Sequence, residues 1–147
     1  MADSLHQITI HCSANTLYQA LTQDKGIQAW WTDTTHMAKQ EDQHCHLWFD
    51  NHQSHFTFRA TKMLPAKRVF WLCSAGPDEW IDTQLWWEIK AIDSETCRLD
   101  FKHMNWKKDD GLFPLCNSTW GSLLQHLKEY CEAGKVNPWF LNLKATA

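Results

Sequence analysis

The sequence has no run of apolar residues that approaches the roughly 20 needed to span a membrane. Its first residues, Met1 to Ser4, are polar, and no basic region followed by an apolar stretch marks a signal peptide. Lysine and arginine are scattered, and the net charge is −3, so no basic patch exists for nucleic-acid phosphates. These absences predict a cytoplasmic protein with no membrane span and no nucleic-acid partner.

Motifs for covalent and metal chemistry are also missing. Six cysteines are present but no C-x-x-C, so neither a thioredoxin-type redox motif nor a paired-cysteine zinc site is supported, and the thiols are predicted to be reduced. There is no nucleophile elbow, phosphate-binding loop or H-E-x-x-H motif, and no pair of carboxylates is placed to act as acid and base. We therefore predict no catalytic residue, no cofactor and no enzymatic activity.

Tryptophan, in contrast, is abundant, with ten residues in a chain of 147. Each indole has a large apolar surface and one N–H that needs an acceptor when buried, so these side chains must line a core, a cavity or an interface. Hydrophobic residues make up 44% and charged residues 21%, which is typical of a globular chain rather than a disordered one. We predict one domain over 1–147, with a core at 5–134 and a C-terminal tail at 135–147.

Period-two runs of β-forming residues, separated by turn residues, predict an antiparallel meander in the middle of the chain. The predicted strands are 44–50, 54–64, 68–74, 83–92 and 96–104, after a first strand at 5–11. Ser13 is predicted to cap a short helix, a second covers 25–31, and a polar loop follows over 32–43. The last helix is predicted at 118–133 and ends before Gly134. Alternation leaves one sheet face dry, and this helix is expected to cover it.

Two groups of residues, one near each end, carry a resemblance to a known family. They are Leu17, Ala20, Leu21, Thr22, Gly26, Ile27, Trp30 and Trp31, and then His103, Trp106, Trp120, Gly121, Leu124, Leu127 and Tyr130. With this order of elements, the chain resembles the START and Bet v superfamily over about residues 5–140. It is most similar to the family named for the activator of the heat-shock protein 90 ATPase.

The resemblance implies an α+β helix-grip fold, in which a curved antiparallel sheet of about six strands is crossed by two short helices and a long C-terminal helix. Relatives usually carry a paired glycine before the second strand, whereas Gln40 to His46 contains none. The family brings no fixed catalytic residues, so the resemblance implies a fold more than a function.

We predict an apolar cavity between the sheet and the last helix. Its predicted lining is Trp31, Phe58, Trp71, Trp87, Phe101, His103, Trp120 and Leu124. A small hydrophobic or aromatic molecule would bind there by desolvation, with His103 or an indole N–H fixing its orientation. Two alternatives stay open: the aromatic side chains fill the space completely, and His103 is a structural histidine bonded to Trp106 or to the backbone.

The paired tryptophans and the histidines allow further interpretations. Adjacent helical residues diverge by about 100°, so one of Trp30 and Trp31 is expected to anchor its helix to the sheet and the other to border the cavity mouth or a partner surface. The alternative that both pack against the last helix and the loop stays open. Trp86 is predicted on the wet face of its strand, covered by the apolar tail or by a second copy in a homodimer. The histidine-rich stretch that contains His44, Cys45, His46, His52 and His55 suggests a metal site, but it matches no metal-binding spacing. We therefore predict exposed polar residues there and no metal.

Three functions follow from these observations. The first is non-enzymatic binding of a small hydrophobic or aromatic ligand. The second, which the family name implies, is a protein-interaction module that contacts a chaperone in a stress response; eukaryotic members pair the domain with an N-terminal domain that is absent here. The third is an enzyme of the cyclase or hydrolase type. The expected assembly is a monomer or a homodimer.

Overall fold

An antiparallel sheet crossed by a long helix forms the fold in the computed structural model, which describes residues 2–142. Within these residues the strands are β1 (Ala2–Ile10), β2 (Thr34–His36), β3 (His44–Phe49), β4 (Ser54–Leu64), β5 (Arg68–Ala75), β6 (Gln84–Asp93) and β7 (Thr96–Trp106). The helices are α1 (Ala14–Thr22), α2 (Asp24–Trp30) and α3 (Leu112–Ala133). The strand order is β1-β7-β6-β5-β4-β3-β2. This arrangement confirms the α+β helix-grip fold.

The meander was predicted correctly, and its five strands end within two residues of the expected positions. The sheet has seven strands rather than about six because β2 lies within the predicted polar loop. Thr34 pairs with Trp48 and His36 with His46, so β2 is a short edge strand held by backbone pairing on one side. Its three polar residues show no alternation, which is why the sequence pattern missed it.

The last helix begins six residues earlier than predicted, at Leu112. The Leu112 N–H donates to a carboxylate oxygen of Glu79 at 2.9 Å, which satisfies one of the free amides of the first turn. Pro114 lies in that same turn, where its missing N–H breaks no helical hydrogen bond. On the inner stripe, Trp120, Leu124 and Leu127 are buried, as the pattern predicted.

The two short helices meet at a close backbone contact. Ser13 caps α1 as predicted, and its hydroxyl accepts from the Thr16 N–H at 3.1 Å. A Cβ on Gly26 would lie 2.6 Å from the backbone of Ala20, so only glycine fits at this contact. The Trp30 indole donates to the Ala20 carbonyl at 2.9 Å and ties the helices together.

Both Trp30 and Trp31 are buried. Different neighbours bury the two rings: Trp30 meets Trp87 of β6 at 5.9 Å, and Trp31, the C-cap of α2, meets Trp120 of α3 at 5.2 Å. The two indoles stack at a centroid distance of 5.5 Å. Trp30 therefore anchors the helix, and Trp31 points toward the end of the sheet.

After α3 the chain turns back and runs beside α2. Phe140 forms a parallel bridge with Thr32, and its N–H donates to the Trp31 carbonyl at 2.8 Å. Trp86, which the tail was expected to cover, instead stacks on Phe70 at 4.1 Å on the outer face. Residues 143–147 of the predicted tail lie outside the described residues. Between residues 2 and 142, no helix is long and apolar enough to cross a membrane.

Candidate ligand-binding cavity

A cavity of about 620 Å³ opens at the β3–β4 end of the sheet. The first turns of α3 form one wall, through residues such as Leu115, Thr119 and Leu123. The sheet contributes Phe49 and Phe56, the loop before β6 contributes Trp80, and the C-terminal segment contributes residues 139–141. This volume is within the range of small-molecule binding sites.

Aromatic rings meeting edge to face form much of the cavity wall. Phe49 meets Phe56 at a centroid distance of 5.0 Å and Phe140 at 4.9 Å, with interplanar angles of 77° and 76°. Phe56 is perpendicular to Trp80 at 4.8 Å. Edge-to-face contact is favourable because the positive edge of one ring meets the negative face of the other. The wall can therefore present both ring faces and ring edges to a ligand.

Few polar groups interrupt this apolar wall. Asp50 is the one charged side chain among the described lining residues, and no lysine, arginine or histidine is found among them. The hydroxyls come from Ser54 and Thr119, and the Thr119 hydroxyl already donates to the Leu115 carbonyl at 2.8 Å. An anionic ligand would find no basic partner here and would face the Asp50 carboxylate. A neutral or cationic ligand would avoid that cost.

A buried hydrogen-bond chain behind the cavity holds two of its tryptophans. The Trp120 indole donates to His103 Nδ1 at 3.1 Å, so the ring proton of neutral His103 is on Nε2 and is donated to the Thr83 hydroxyl at 2.9 Å. That hydroxyl donates to the Trp80 carbonyl at 2.6 Å. Complete burial lowers the pKa of His103 to about 3 and keeps the ring neutral.

Comparison with known proteins identifies the family. The family model described as "Activator of Hsp90 ATPase homolog 1-like protein" matches residues 11–132. The chain belongs to this family. The match confirms the resemblance that the sequence suggested, and it ends ten residues before the end of the described C-terminal segment.

Solved structures support the assignment. Aha1 from Colwellia psychrerythraea, solved in solution as a dimer, is 30% identical, with a TM-score of 0.83, and the match covers 92% of this chain and 99% of that one. SSP2350 from Staphylococcus saprophyticus has the same fold at 12% identity and TM-score 0.77, over 97% and 100% of the two chains. DynU16, a putative protein of the dynemicin biosynthetic locus, matches at 15% identity and TM-score 0.77 over 95% of this chain and 50% of its own. None of the curated proteins matches this family member.

The eight side chains predicted to line the cavity all lie on the inner side of the sheet, but they are divided between two places. Trp31 and Trp120 are on the cavity wall. The other six pack behind it with no more than 3% of their surface exposed: Phe58, Trp71, Trp87, Phe101, His103 and Leu124. Whether any of the eight contacts a ligand stays a prediction.

The six inner side chains belong to a closely packed aromatic core. Phe58 stacks on Trp71 at 5.6 Å, and Phe101 lies 4.2 Å from Trp87. In this part of the molecule aromatic side chains fill the space, which was one of the two alternatives. His103 bonds to Thr83 and Trp120 rather than to Trp106 or the backbone.

Sequence reasoning missed most of the cavity wall. Phe49 and Phe56 lie on the dry face by simple alternation, so a signal for them existed. Trp80 lies in a loop with no periodic pattern. Trp139 and Phe140 were noticed only as an apolar tail, because nothing local reveals which surface a tail will contact.

The histidine-rich stretch forms a stack on the outer face of the sheet. His46 Nδ1 lies 3.0 Å from His55 Nε2, and His55 stacks on Trp48 at 4.6 Å. Burial, followed by neighbouring histidines, lowers the pKa of His46 and favours its neutral form. Among residues 2–142, no group of three or more His, Cys, Asp or Glu side chains is arranged to hold a metal ion.

Proposed function

We propose that this chain binds a small hydrophobic or aromatic molecule in the cavity at the β3–β4 end of the sheet, without performing chemistry on it. The observation that carries the proposal is a space of about 620 Å³ with aromatic walls, beside a core in which the same residue types are closely packed. Burying apolar ligand surface here would supply the binding free energy, at about 0.8 kcal/mol for each methylene.

The titratable side chains of the cavity support binding rather than catalysis. Among the described lining residues they are Asp50 and Cys116. Asp50 is exposed in the β3–β4 turn, and burial raises the pKa of the Cys116 thiol, which disfavours the nucleophilic thiolate. General acid–base catalysis would need a paired group in reach of the substrate, and the wall does not supply one.

The first test compares native and denatured masses of the protein purified from its own host. A discrete extra mass that is lost on denaturation would support a bound molecule and allow its identification. Its absence, together with no change in tryptophan fluorescence on addition of apolar compounds, would argue against the proposal. Trp31, Trp80 and Trp120 lie on the wall and would report binding.

A matched series of compounds tests the polarity of the site. Dodecanol, dodecylamine and dodecanoate share one chain and differ in the head group. We expect dodecanoate to bind most weakly, by roughly threefold to tenfold, because it faces Asp50 with no basic partner. Asp50→Asn should reduce the difference in affinity between dodecylamine and dodecanoate. Tightest binding of dodecanoate would contradict the proposed polarity.

A cavity-filling variant tests the location. Thr119→Phe places a ring inside the cavity, whereas Ser118→Phe adds the same ring to the exposed side of α3. We expect the first variant to lose binding and the second to keep it. Equal affinities would place the site elsewhere.

A second candidate function is contact with a chaperone of the heat-shock protein 90 type, supported by family membership and by the 30% identity to Aha1. The cavity rim offers an apolar surface, with Leu115 66% exposed and Leu141 59% exposed. Leu115→Ser should weaken binding to the purified chaperone of the same host. Leu5→Ser is the control, because Leu5 is similarly exposed, at 64%, but lies on β1. Sedimentation of the chain alone would establish whether it forms a dimer.

A further inference from the structure

The segment Asn137–Asn142, here called the strap, is attached to α2 by its backbone. The N–H groups of Asn137, Trp139 and Phe140 donate to the carbonyls of three successive residues, Ala29, Trp30 and Trp31, at 2.8, 3.2 and 2.8 Å. Carbonyls at a helix C-terminus lack partners within the helix. The strap supplies those partners and is thereby aligned along the end of α2.

One buried side chain fixes the far end of the strap. Asn142 is 6% exposed, and its Nδ2 donates to the Asp33 carboxylate at 2.8 Å and to the Trp48 carbonyl at 2.9 Å. Its Oδ1 accepts from the His52 N–H at 3.2 Å, and its own N–H donates to Asp33 at 3.1 Å. Only an amide can donate and accept in this way from one short side chain. Asn142 therefore connects the strap to β3, to the residues before β2 and to the β3–β4 turn.

The strap itself contributes little to the core. Trp139 is 43% exposed and Leu141 59% exposed, and both line the cavity. Phe140 packs edge to face against Phe49 at 4.9 Å and forms the part of the wall nearest the sheet. The strap is thus held mainly by hydrogen bonds and buries little apolar surface, and a segment of this kind can open without unfolding the rest of the molecule.

We propose that the strap sets which ligands fit the cavity, and that Asn142 is the positioning residue that holds the strap in place. This inference rests on the proposed function, and it names the element that gives the site its selectivity. The strap closes one side of the cavity between α3 and the sheet: Trp139 meets His126 of α3 at a ring-centroid distance of 5.2 Å, and Phe140 packs on Phe49 of β3. The position of the strap therefore determines how wide this side of the space is. The family match ends before the strap, so this wall is not part of what the match covers.

Amide hydrogen exchange tests the role of Asn142 without any ligand. In the wild-type protein the amides of Asn137, Trp139 and Phe140 should exchange faster than that of Phe101 in β7. Asn142→Ala should accelerate the three strap amides by roughly tenfold, the effect of losing one or more net hydrogen bonds, and leave Phe101 unchanged. Gln28→Ala, on the exposed side of α2, is the control that should change neither.

A charge-swap series tests whether the contact between Asn142 and Asp33 itself holds the strap, or whether any substitution at Asn142 destabilises the segment. Asn142→Asp would place a second carboxylate beside Asp33 and should accelerate strap exchange more than Asn142→Ala does. Adding Asp33→Asn restores one amide and one carboxylate, so the double variant should exchange more slowly than Asn142→Asp alone. Strap amides that exchange only together with Phe101, in all variants, would overturn the role of Asn142.

Ligand selectivity is measured with two neutral fluorescent probes of different width, N-phenyl-1-naphthylamine and 1-pyrenebutanol. Phe140→Ala and Asn142→Ala should shift the ratio of affinities toward the wider probe by roughly tenfold, as expected when a pocket wall is removed or released. Gln28→Ala should leave the ratio unchanged.

The outcomes distinguish this inference from the proposed function. Faster strap exchange with an unchanged affinity ratio would overturn the role of the strap in selectivity and leave ligand binding intact. Failure of both probes to bind any variant would count against ligand binding in the cavity, and hydrogen exchange would still decide whether Asn142 holds the strap.

Discussion

The two ends of the inner sheet face carry the same kinds of side chain but enclose different things. On the inner face of β5, β6 and β7, aromatic residues such as Trp71, Trp87 and Phe101 pack with no more than 1% of their surface exposed. At the β3–β4 end, Phe49, Phe56 and their neighbours surround a cavity of about 620 Å³. The abundance of aromatic residues therefore does not determine whether space remains.

The difference lies in what covers each end. Over the packed end, α2 and α3 insert whole indoles: Trp30 meets Trp87 at 5.9 Å, and Trp120 lies 4.3 Å from Phe101. Over the open end, cover comes from the first turns of α3 and from the single-layered strap. A single extended segment directs fewer side chains inward than a helix does. Beneath the strap, the side chains therefore leave a gap that a second helix would fill.

The largest expected effect comes from truncating one tryptophan at each end. Trp87→Ala should lower the free energy of unfolding by about 3–5 kcal/mol, because it removes a fully buried indole from a close-packed site. Trp139→Ala, at the partly exposed cavity rim, should cost about 1 kcal/mol or less. Urea denaturation measures both values. Equal losses would contradict the contrast between the packed and the open end.

The next effect is a pH dependence specific to the packed end. The folded pKa of His103 is about 3 and its ordinary value is 6.5, so between these values the unfolded chain binds the extra proton. Stability from this residue is present above pH 6.5 and is lost as the pH falls toward 3. Between pH 6 and pH 4 the loss should be roughly 2–3 kcal/mol.

Variants isolate this contribution from that of the carboxylates. His103→Gln should remove most of the extra acid sensitivity, even if its stability at neutral pH is lower. His44→Gln, an exposed histidine on β3, should behave like the wild type. Urea denaturation at several pH values provides the measurement, and identical pH profiles for His103→Gln and the wild type would exclude the assigned role.

Thiol labelling tests how closed the packed end is, with a cysteine from a separate surface cleft as the reference. Burial raises the pKa of Cys73, in the packed end, to about 12. Hydrogen bonding with Cys131 is the main cause that lowers the pKa of Cys12, which lies beside a surface cleft. At pH 7 iodoacetamide should modify Cys12 at least about tenfold faster than Cys73, because the thiolate is the reactive form. Peptide mass spectrometry at successive times measures the two modification rates. Comparable rates for Cys12 and Cys73 would contradict the prediction.

The smallest effect is expected at Gly121, and Gly26 provides a contrast of opposite sign. A Cβ at Gly121, on the outer side of α3, would meet nothing within 4 Å, so Gly121→Ala should stabilise the protein by about 0.5–1 kcal/mol. Gly26→Ala should destabilise it, because the new Cβ would collide with the Ala20 backbone. Thermal unfolding measures both changes: the melting temperature should rise for Gly121→Ala and fall for Gly26→Ala.

The elements with strong periodic patterns could be predicted from the sequence. Alternation predicted the strands from 44 to 104 and the side that most of their residues face, and the stripe of Trp120, Leu124 and Leu127 identified the closing helix. These patterns depend on the local twofold and 3.6-residue repeats of strands and helices. The edge strand β2 and the first turns of α3 escaped prediction, because backbone pairing and a contact with Glu79 stabilise them.

The candidate site was only partly predictable, for a physical reason. Inward-facing aromatic residues can be identified from alternation, and two of the predicted eight, Trp31 and Trp120, line the cavity. Whether an inward-facing ring touches a void depends on how closely another element approaches it. That distance is set by contacts such as the one between Asn142 and Asp33, which are 109 residues apart in the chain.

The sequence by itself thus determined most of the secondary structure, the family and the dry face of the sheet, since each is encoded in residues close to one another along the chain or in recognisable motifs. Only the tertiary structure decided where the cavity lies and that the strap forms its wall. How closely two elements pack depends on the shapes of both, and the elements that surround this cavity come from segments far apart in the chain.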